Sequence, residues 1–174
     1  IIILSDTNTY SDQADTIRYA LFSVVSVITT TGYATADYST WPLGLPVFLM
    51  LAASVATCAG STGGGMKMVR LLIILGLIKR EMTKLLYPKA MLPLTLNKSS
   101  IDNKISFAVL VYSVVWILSF IFGAIFLLLS GLPTTEAISA AWAMLTNLGP
   151  GLGSVGPSGN YSSLSTAQLW ACSF

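Results

Sequence analysis

The sequence of 174 residues contains no histidine, and only 9% of it is charged, against about 25% in an average soluble domain. The absence of histidine excludes Ser-His-Asp triads, histidine-ligated metal sites and imidazole acid–base chemistry. So few charges cannot cover the surface of an ordinary globular domain, and the 54% hydrophobic content excludes a disordered chain. We therefore expect the chain to lie in a lipid bilayer.

The sequence contains only two cysteines, Cys58 and Cys172, and each lies within an apolar stretch. We expect both to be small buried hydrophobic residues. The chain begins at Ile1 without a signal-peptide pattern and ends at Phe174, just after a new apolar segment has begun. These ends indicate a fragment of a longer protein.

Three long runs carry no charge: residues 38–66, 105–135 and 137–174. Residues 101–131 predict one complete membrane span. A helix over residues 105–130 would be ~39 Å long, which is enough to cross a hydrocarbon core of ~30 Å with some tilt.

The linker of residues 79–104 is the most basic part of the chain, with only Glu81 and Asp102 as acidic residues. Its basic residues are Lys79, Arg80, Lys84, Lys89, Lys98 and Lys104. The positive-inside rule therefore makes this linker cytoplasmic and the remaining loops external. The external loops carry acidic residues, which either concentrate cations at the outer mouth or are simply solvated: Asp6, Asp12, Asp15, Asp37 and Glu136.

Residues 41–78 are too long for a single span, because a continuous helix would measure ~57 Å. Four glycines lie in six residues at its centre, and each costs a helix about 1 kcal/mol relative to alanine. These six residues are Gly60, Ser61, Thr62, Gly63, Gly64 and Gly65. We predict two half-helices, about 41–59 and 66–82, joined by a loop at membrane depth. Such a loop is tolerated only inside protein or beside a cavity.

Two further apolar segments, residues 19–36 and 133–153, are too short to span. Asp15 or Thr16 is expected to cap a helix of about 13 residues in the first segment, and Thr134 caps the second. Both segments predict re-entrant half-helices that enter from outside and are followed by glycine-containing strands. An offset of 117 residues places Gly149 on Gly32 and Asn147 on Thr30, which indicates parallel repeats.

A half-helix that enters from outside points its negative C-terminal end at the membrane centre, where it stabilises a cation. The strand that follows can direct backbone carbonyls at the ion, and a glycine permits the required conformation. Residues 30–34 are similar to the potassium-channel filter pattern Thr-Val-Gly-Tyr-Gly. Thr30, Gly32 and Tyr33 are identical and Thr31 keeps the β-branch, whereas Ala34 replaces the second glycine.

Three ordered motifs, residues 30–33, 58–67 and 147–151, resemble the Trk/Ktr/HKT superfamily of potassium transporters, most closely the Trk-H type membrane subunits of bacterial potassium uptake. The resemblance implies an all-α membrane protein of potassium-channel-like span–pore-loop–span repeats, four of them around one pore. Residues 1–99 would hold the end of the first span, the pore loop and the broken second span of the third repeat, plus the cytoplasmic linker. Residues 100–174 would hold the first span, the pore loop and the start of the second span of the fourth repeat.

The resemblance also implies a selectivity filter whose carbonyls bind K⁺, and an intramembrane gate formed by residues 60–65. The filter residues would be Thr30, Thr31, Gly32, Tyr33, Asn147, Leu148, Gly149 and Pro150. The expected protein is a homodimer with a cytosolic, nucleotide-binding regulatory subunit of the Trk-A type. It would have no catalytic residue and no cofactor, and K⁺ would be its transported ion.

The expected function is potassium uptake across the bacterial inner membrane. Two alternatives remain open: a secondary carrier for a small organic solute, or a non-selective Na⁺/K⁺ pore. A membrane hydrolase using Ser61 or Thr62 is disfavoured, because no histidine or nearby acid–base group could assist it.

Simpler interpretations also exist for the individual motifs. Gly32 and Gly149 could be ordinary helix C-caps, and the glycines of residues 60–65 could allow close helix packing. Lys67 and Arg70 are candidate pore-side charges, since charges within a membrane are usually functional, but they could also be interfacial anchors.

Overall fold

The computed structural model describes residues 3–4, 7, 9–10, 12–42, 44–61, 63–87, 95–96 and 99–173. The described residues are helical apart from loops and one antiparallel pair of two-residue strands. The helices are α1 (Gln13–Ile28), α2 (Gly44–Val55), α3 (Met68–Leu86), α4 (Asn103–Leu129), α5 (Thr134–Leu145) and α6 (Thr166–Ser173). The strands are β1 (Thr95–Leu96) and β2 (Ser99–Ser100), and single 3₁₀ turns lie at Tyr38–Thr40, Gly153–Val155 and Tyr161–Ser163.

Helix α4 confirms the predicted complete span. Its 27 residues are long and apolar enough to cross a membrane. The helix begins after Asp102, whose carboxylate accepts a hydrogen bond from the Lys104 amide at 3.4 Å. Phe107, Phe122 and Leu129 are among the large apolar side chains that this helix leaves exposed. An exposed apolar surface of this kind is suited to lipid or to further membrane helices.

The segment after the first pore loop is broken as predicted, although its helices have different bounds. Helix α2 ends at Val55 and α3 begins at Met68, so the backbone between them is non-helical. Helix α3 continues to Leu86, beyond the predicted end at residue 82. Its polar last turns are held by ion pairs: Glu81 Oε1 lies 3.2 Å from Lys84 Nζ and 3.1 Å from Arg80 Nε. The apolar part of the sequence ends before this helix does, so a prediction from hydropathy ends the helix too early.

The two short helices α1 and α5 confirm the predicted half-helices, but the predicted cap of each is wrong. The N-cap of α1 is Asp12, whose carboxylate accepts a hydrogen bond from Ala14 N at 3.2 Å, so the predicted caps Asp15 and Thr16 are wrong. Both of those residues lie in the first turns of the helix, where the Thr16 hydroxyl donates to Asp12 O at 3.0 Å. The predicted cap Thr134 is wrong as well, because Thr134 is the first residue of α5 and the N-cap position is taken by Pro133, which makes no side-chain hydrogen bond to the helix.

Helix α5 is enclosed by its neighbours because its inner faces are lined with alanine. Ala137, Ala140 and Ala143 are fully buried, and α5 packs on α4, on α2 and on the turn of residues 153–155. The Trp142 indole donates a hydrogen bond to the Met50 carbonyl of α2 at 2.8 Å. Small side chains on three sides let a short helix sit at the centre of the fold.

We predict that Ala140→Leu destabilises the full-length protein. The added isopropyl group enters a fully packed site, and overpacking of this kind costs about 1–3 kcal/mol. Thermal unfolding in detergent measures the effect. The matched control is Ala108→Leu on the exposed face of α4, which should change stability by less than about 0.5 kcal/mol. Equal melting temperatures for the two variants would contradict the packing described for α5.

Candidate functional site

Both half-helices end on a residue in the left-handed backbone region. The φ angle is 54° at Thr30 and 56° at Asn147, and two residues later it is 79° at Gly32 and 93° at Gly149. Both pairs keep the offset of 117 residues. Since Thr30 and Asn147 occupy the left-handed position that follows each helix, the interpretation of the two glycines as simple C-caps is wrong. The glycines lie in the strands beyond.

The hydrogen bonds that close these helix ends are also the same in both repeats. Thr31 N donates to Ser26 O at 2.9 Å, and Leu148 N donates to Ala143 O at 2.9 Å. A second hydrogen bond of 3.1 Å closes each turn. In it, the amide of the residue with positive φ donates to the carbonyl three residues earlier. This is the Schellman arrangement, which satisfies carbonyls at the end of a helix. Two segments with different side chains therefore share one backbone geometry.

Each half-helix is followed by a short non-helical segment, called a strand below: residues 30–33 after α1 and residues 147–150 after α5. The two strands contact each other at Gly32. A Cβ atom built on Gly32 would collide with the carbonyl oxygen of Leu148 and would lie 3.4 Å from Pro150 Cδ. A Cβ atom on Gly149 would meet nothing within 4 Å. Gly32 is thus required by both its neighbours and its φ angle, whereas Gly149 is required by its φ angle alone.

The carbonyl groups of the two strands fall into two sets. Tyr33 O accepts a hydrogen bond from Ser26 Oγ at 2.5 Å, and Gly149 O accepts one from the Tyr161 hydroxyl at 2.7 Å. The second set receives no hydrogen bond from the residues that the structure describes: the carbonyls of Thr30, Thr31, Gly32, Leu148 and Pro150. Carbonyl oxygens without a protein donor remain able to bind water or a cation.

The described residues of the loop 60–65, called the glycine loop below, lie against the ends of both half-helices. Gly64 N donates a hydrogen bond to Thr146 O at 3.2 Å, and a Cβ atom on Gly64 would lie 3.3 Å from Asn147 Nδ2. On the other repeat, a Cβ atom on Gly63 would lie 3.4 Å from Thr30 Oγ1. The glycines thus do allow close packing, but of this loop on the half-helix ends. Thr62 lies outside the described residues.

The two basic residues beside the loop have different surroundings. Lys67 has a φ of 61°, and its ammonium group donates to Ala59 O at 3.1 Å and to Ser61 O at 2.9 Å. Arg70 lies with its guanidinium carbon 3.6 Å from the centre of the Tyr112 ring, a cation–π contact with α4. The buried Nη1 of Arg70 has no hydrogen-bond partner among the described residues. Lys67 therefore holds the loop itself, and Arg70 joins α3 to α4.

Two loop carboxylates, Glu136 and Asp37, accept hydrogen bonds from other loops rather than standing free in solvent. Glu136 accepts hydrogen bonds from Ser154 N at 3.1 Å and from Ser154 Oγ at 2.6 Å. Asp37 accepts hydrogen bonds from Ser39 N at 2.9 Å and from Ser158 Oγ, 121 residues away. Burial alone would raise the pKa of Asp37, but these hydrogen bonds outweigh burial and hold that pKa below its usual value. Asp37 thereby links the loops that follow the two half-helices.

Three partners in this region carry no sequence signal that predicts them. Ser154, Ser158 and Tyr161 lie in loops without periodicity, and each reaches its partner only through the fold. The expectation for the cysteines is also wrong in part, since Cys58 is exposed and Cys172 is half-buried. Cys58 follows the end of α2, where its chain segment has left the packed helix.

We predict that Gly64→Ala destabilises the full-length protein, whereas Gly60→Ala does not. The Gly64 Cβ would collide with the Leu145 carbonyl at the end of α5, but a Cβ on Gly60 meets nothing within 4 Å. Steric displacement of buried backbone costs about 1–3 kcal/mol, and an unstrained alanine should be neutral or slightly stabilising. Thermal unfolding of both variants in detergent provides the measurement. A Gly64→Ala variant as stable as Gly60→Ala would place the loop elsewhere.

Comparisons with known proteins agree with this architecture. Residues 7–171 match the TrkH family model, described as cation transport protein. The chain is 39% identical over 154 residues to the Trk system potassium uptake protein TrkH of Halomonas elongata, covering 88% of this chain and 32% of that protein. It is 36% identical over 169 residues to TrkH of Escherichia coli K12, covering 97% of this chain and 35% of that protein.

The fold matches the crystal structure of the potassium transporter TrkH from Vibrio parahaemolyticus with a TM-score of 0.88 and 33% sequence identity, covering 98% of this chain and 36% of that one. The chain thus spans about a third of the length of these relatives. The predicted membrane fold of span–pore-loop–span repeats with re-entrant half-helices is confirmed. On the combined sequence and structural match, the chain belongs to the TrkH family of cation transport proteins.

Proposed function

We propose that this chain supplies two of the four pore repeats of a potassium uptake protein of the bacterial inner membrane. Residues 1–99 contribute the third repeat and residues 100–174 the fourth. The observation that carries the proposal is the pair of matching helix ends at Thr30 and Asn147, whose strands meet at Gly32. The names of the relatives, which are potassium uptake proteins, support K⁺ as the transported ion.

The proposed mechanism is passive movement of a dehydrated cation through a carbonyl filter. Two half-helix C-termini supply partial negative charge at the site, and carbonyl oxygens replace the water around the ion. The filter comprises Thr30, Thr31, Gly32, Tyr33, Asn147, Leu148, Gly149 and Pro150. The carbonyls without a protein donor are the strongest candidates for direct contact with the ion. Tyr33 O and Gly149 O each already accept one hydrogen bond, which leaves each with one further lone pair.

Residues 60–65 are proposed as the gate below this filter. Support comes from the contacts of Gly63 and Gly64 with the ends of the two half-helices. A loop in this position has to move before an ion that leaves the filter can continue. Lys67 holds the loop through the carbonyls of Ala59 and Ser61, so the closed position is stabilised by its ammonium group.

A non-selective Na⁺/K⁺ pore is the second candidate. It is favoured by the different side chains at equivalent filter positions, with Pro150 in the place of Tyr33 and Asn147 in the place of Thr30. Selectivity depends on the number and field strength of the oxygens around the ion, and unlike strands make that ring irregular. A solute carrier is less favoured, because the two strands are in backbone contact at Gly32, where the Leu148 carbonyl leaves no room for a side chain.

We also propose how the full-length protein is oriented in the membrane and which partners it has. The linker of residues 79–104 is placed in the cytoplasm and the pore loops outside, in accordance with the charge distribution. The full-length protein is proposed to be a homodimer that binds a cytosolic nucleotide-binding subunit of the Trk-A type. The ion-paired side chains of Arg80, Glu81 and Lys84 at the end of α3, of which Glu81 is exposed, would face that subunit.

We predict that Gly32→Ser and Gly149→Ser both lower the preference for K⁺ over Na⁺ in the full-length protein. Each replacement forces a side chain onto a backbone with positive φ, which distorts the carbonyls of that strand. Fluxes of K⁺, Rb⁺ and Na⁺ into proteoliposomes give the preference. Gly32→Ser should also reduce thermal stability more than Gly149→Ser, because only Gly32 is crowded by its neighbours.

The matched control is Gly131→Ser, which has a φ of 96° and open space around it but lies outside the proposed filter, at the end of α4. It carries similar strain and should leave the ion preference unchanged. If both filter variants keep the wild-type preference and flux, the filter assignment is wrong and the solute carrier becomes the better proposal. Uptake of Na⁺ at the rate of K⁺ by the wild type would favour the non-selective pore.

A further inference from the structure

Two hydroxyl groups donate hydrogen bonds to carbonyls of the two proposed filter strands. The two carbonyls do not lie at equivalent positions of the repeats. Ser26 Oγ on α1 donates to Tyr33 O, and the Tyr161 hydroxyl donates to Gly149 O. With the offset of 117 residues, Tyr33 corresponds to Pro150 and Gly149 corresponds to Gly32. The two carbonyls that accept these hydrogen bonds are therefore one residue apart along the proposed pore.

Neither hydroxyl has a counterpart in the other repeat. Ala143 takes the place of Ser26 on α5 and offers no donor to Pro150 O. The carbonyl of Gly32 receives no hydrogen bond from the described residues, whereas that of Gly149 does. The two strands thus share backbone angles but not the groups that hold their carbonyls.

The Tyr161 hydroxyl is suited to a permanent donor role. Its ring is half-buried against the cluster that contains Ala137, Ala140 and Val155. Burial, with smaller contributions from Cys172 and Tyr38, raises the pKa of Tyr161 well above its usual value. The phenol therefore stays protonated and can donate to Gly149 O at 2.7 Å at any physiological pH.

Gly149 is less closely surrounded than Gly32 on the side where a Cβ atom would lie. Gly32 is confined by the Leu148 carbonyl and the Pro150 ring of the opposite strand. Around Gly149, by contrast, no atom lies within 4 Å of where a Cβ would be, so packing on that side does not fix its backbone. Among the described residues, the hydrogen bond that the Gly149 carbonyl accepts comes from the Tyr161 hydroxyl, which restrains the orientation of that peptide group.

We propose that Ser26 and Tyr161 are positioning residues, each of which orients one filter carbonyl and thereby sets the preference for K⁺ over Na⁺. The proposal rests on the proposed function, since it requires that residues 30–33 and 147–150 line the ion path. Without its brace, a carbonyl samples several orientations, and the number of oxygens around the ion is no longer fixed. A variable ring accommodates Na⁺, which needs closer oxygens, more readily than a fixed one.

The test measures inhibition of Rb⁺ uptake by Na⁺ and by K⁺ in proteoliposomes that contain the full-length protein. Tyr161→Phe and Ser26→Ala each remove one hydroxyl and keep the rest of the side chain. We expect the preference for K⁺ over Na⁺ to fall about threefold to tenfold in each, in line with the loss of one hydrogen bond. Rb⁺ uptake and the melting temperature should remain close to the wild-type values.

Matched controls remove hydroxyls of the same kinds elsewhere. Tyr87→Phe changes an exposed tyrosine at the end of α3. Ser113→Ala removes a buried serine hydroxyl that donates to Val109 O within α4 at 2.8 Å. Both controls should keep the wild-type preference. A loss of preference in the controls as large as in the two test variants would overturn the proposal.

The outcomes separate this proposal from the filter assignment. If Gly149→Ser lowers the preference while Tyr161→Phe and Ser26→Ala do not, the filter assignment stands and the positioning role is wrong. If none of the three changes the preference, the filter assignment fails as well. Should Tyr161→Phe fail to fold, Ser26→Ala decides, because alanine is already accommodated at the equivalent Ala143. Full preference in a folded Ser26→Ala protein would then overturn the proposal.

Discussion

Backbone N–H and C=O groups at membrane depth cannot be left to lipid, and the described irregular segments of the proposed pore are subject to this constraint. The half-helix ends satisfy it through the Schellman bonds of Thr31 and Leu148. The glycine loop satisfies it through three separate donors: Gly64 N reaches the end of α5, Met68 N donates to Thr57 O at 3.2 Å, and the Lys67 ammonium group binds two loop carbonyls. Among the described residues, the carbonyls of Thr31, Gly32, Leu148 and Pro150 accept no hydrogen bond from the protein, so water or a cation can take the place of the donor there.

Close approach of one backbone to another is the second condition of the site, and it explains where the glycines lie. Side chains are excluded where Gly32 faces the Leu148 carbonyl, where Gly64 faces the Leu145 carbonyl and where Gly65 faces the Ser54 carbonyl. These three contacts join the first strand to the second, the loop to α5 and the loop to α2. A loop built from larger residues would be held away from the strands and could not cover them. The same glycines have no side chains that would hinder a change of backbone conformation, which is compatible with the proposed role of the loop as a gate.

The sequence was sufficient for the elements but not for the contacts between them. Hydropathy and glycine content predict the complete span, the broken helix and both half-helices, because each depends on local composition and on the thickness of the bilayer. The offset of 117 residues correctly pairs Thr30 with Asn147, although the two repeats share few side chains. Helix ends were less predictable: Asp12 caps α1 where Asp15 or Thr16 was expected, and ion pairs of Glu81 extend α3 beyond its apolar part. The bonds of Tyr161 and Ser158 join loops far apart in sequence, and no local pattern encodes them.

The comparison of the two repeats indicates what a carbonyl filter demands of its sequence. Thr30 and Asn147 differ in size, branching and hydrogen-bonding groups, yet their φ angles differ by only 2°. The residues that follow also differ, except for the glycine. Because the proposed ligand of the ion is the backbone carbonyl, the repeats need to agree in φ and ψ, and their side chains are free to serve other purposes. Ser26, Tyr161 and Glu136 use that freedom, since each binds backbone of the filter or its flanking loop from a different direction. A pore of unlike repeats can therefore keep one backbone geometry while each strand is held in its own way.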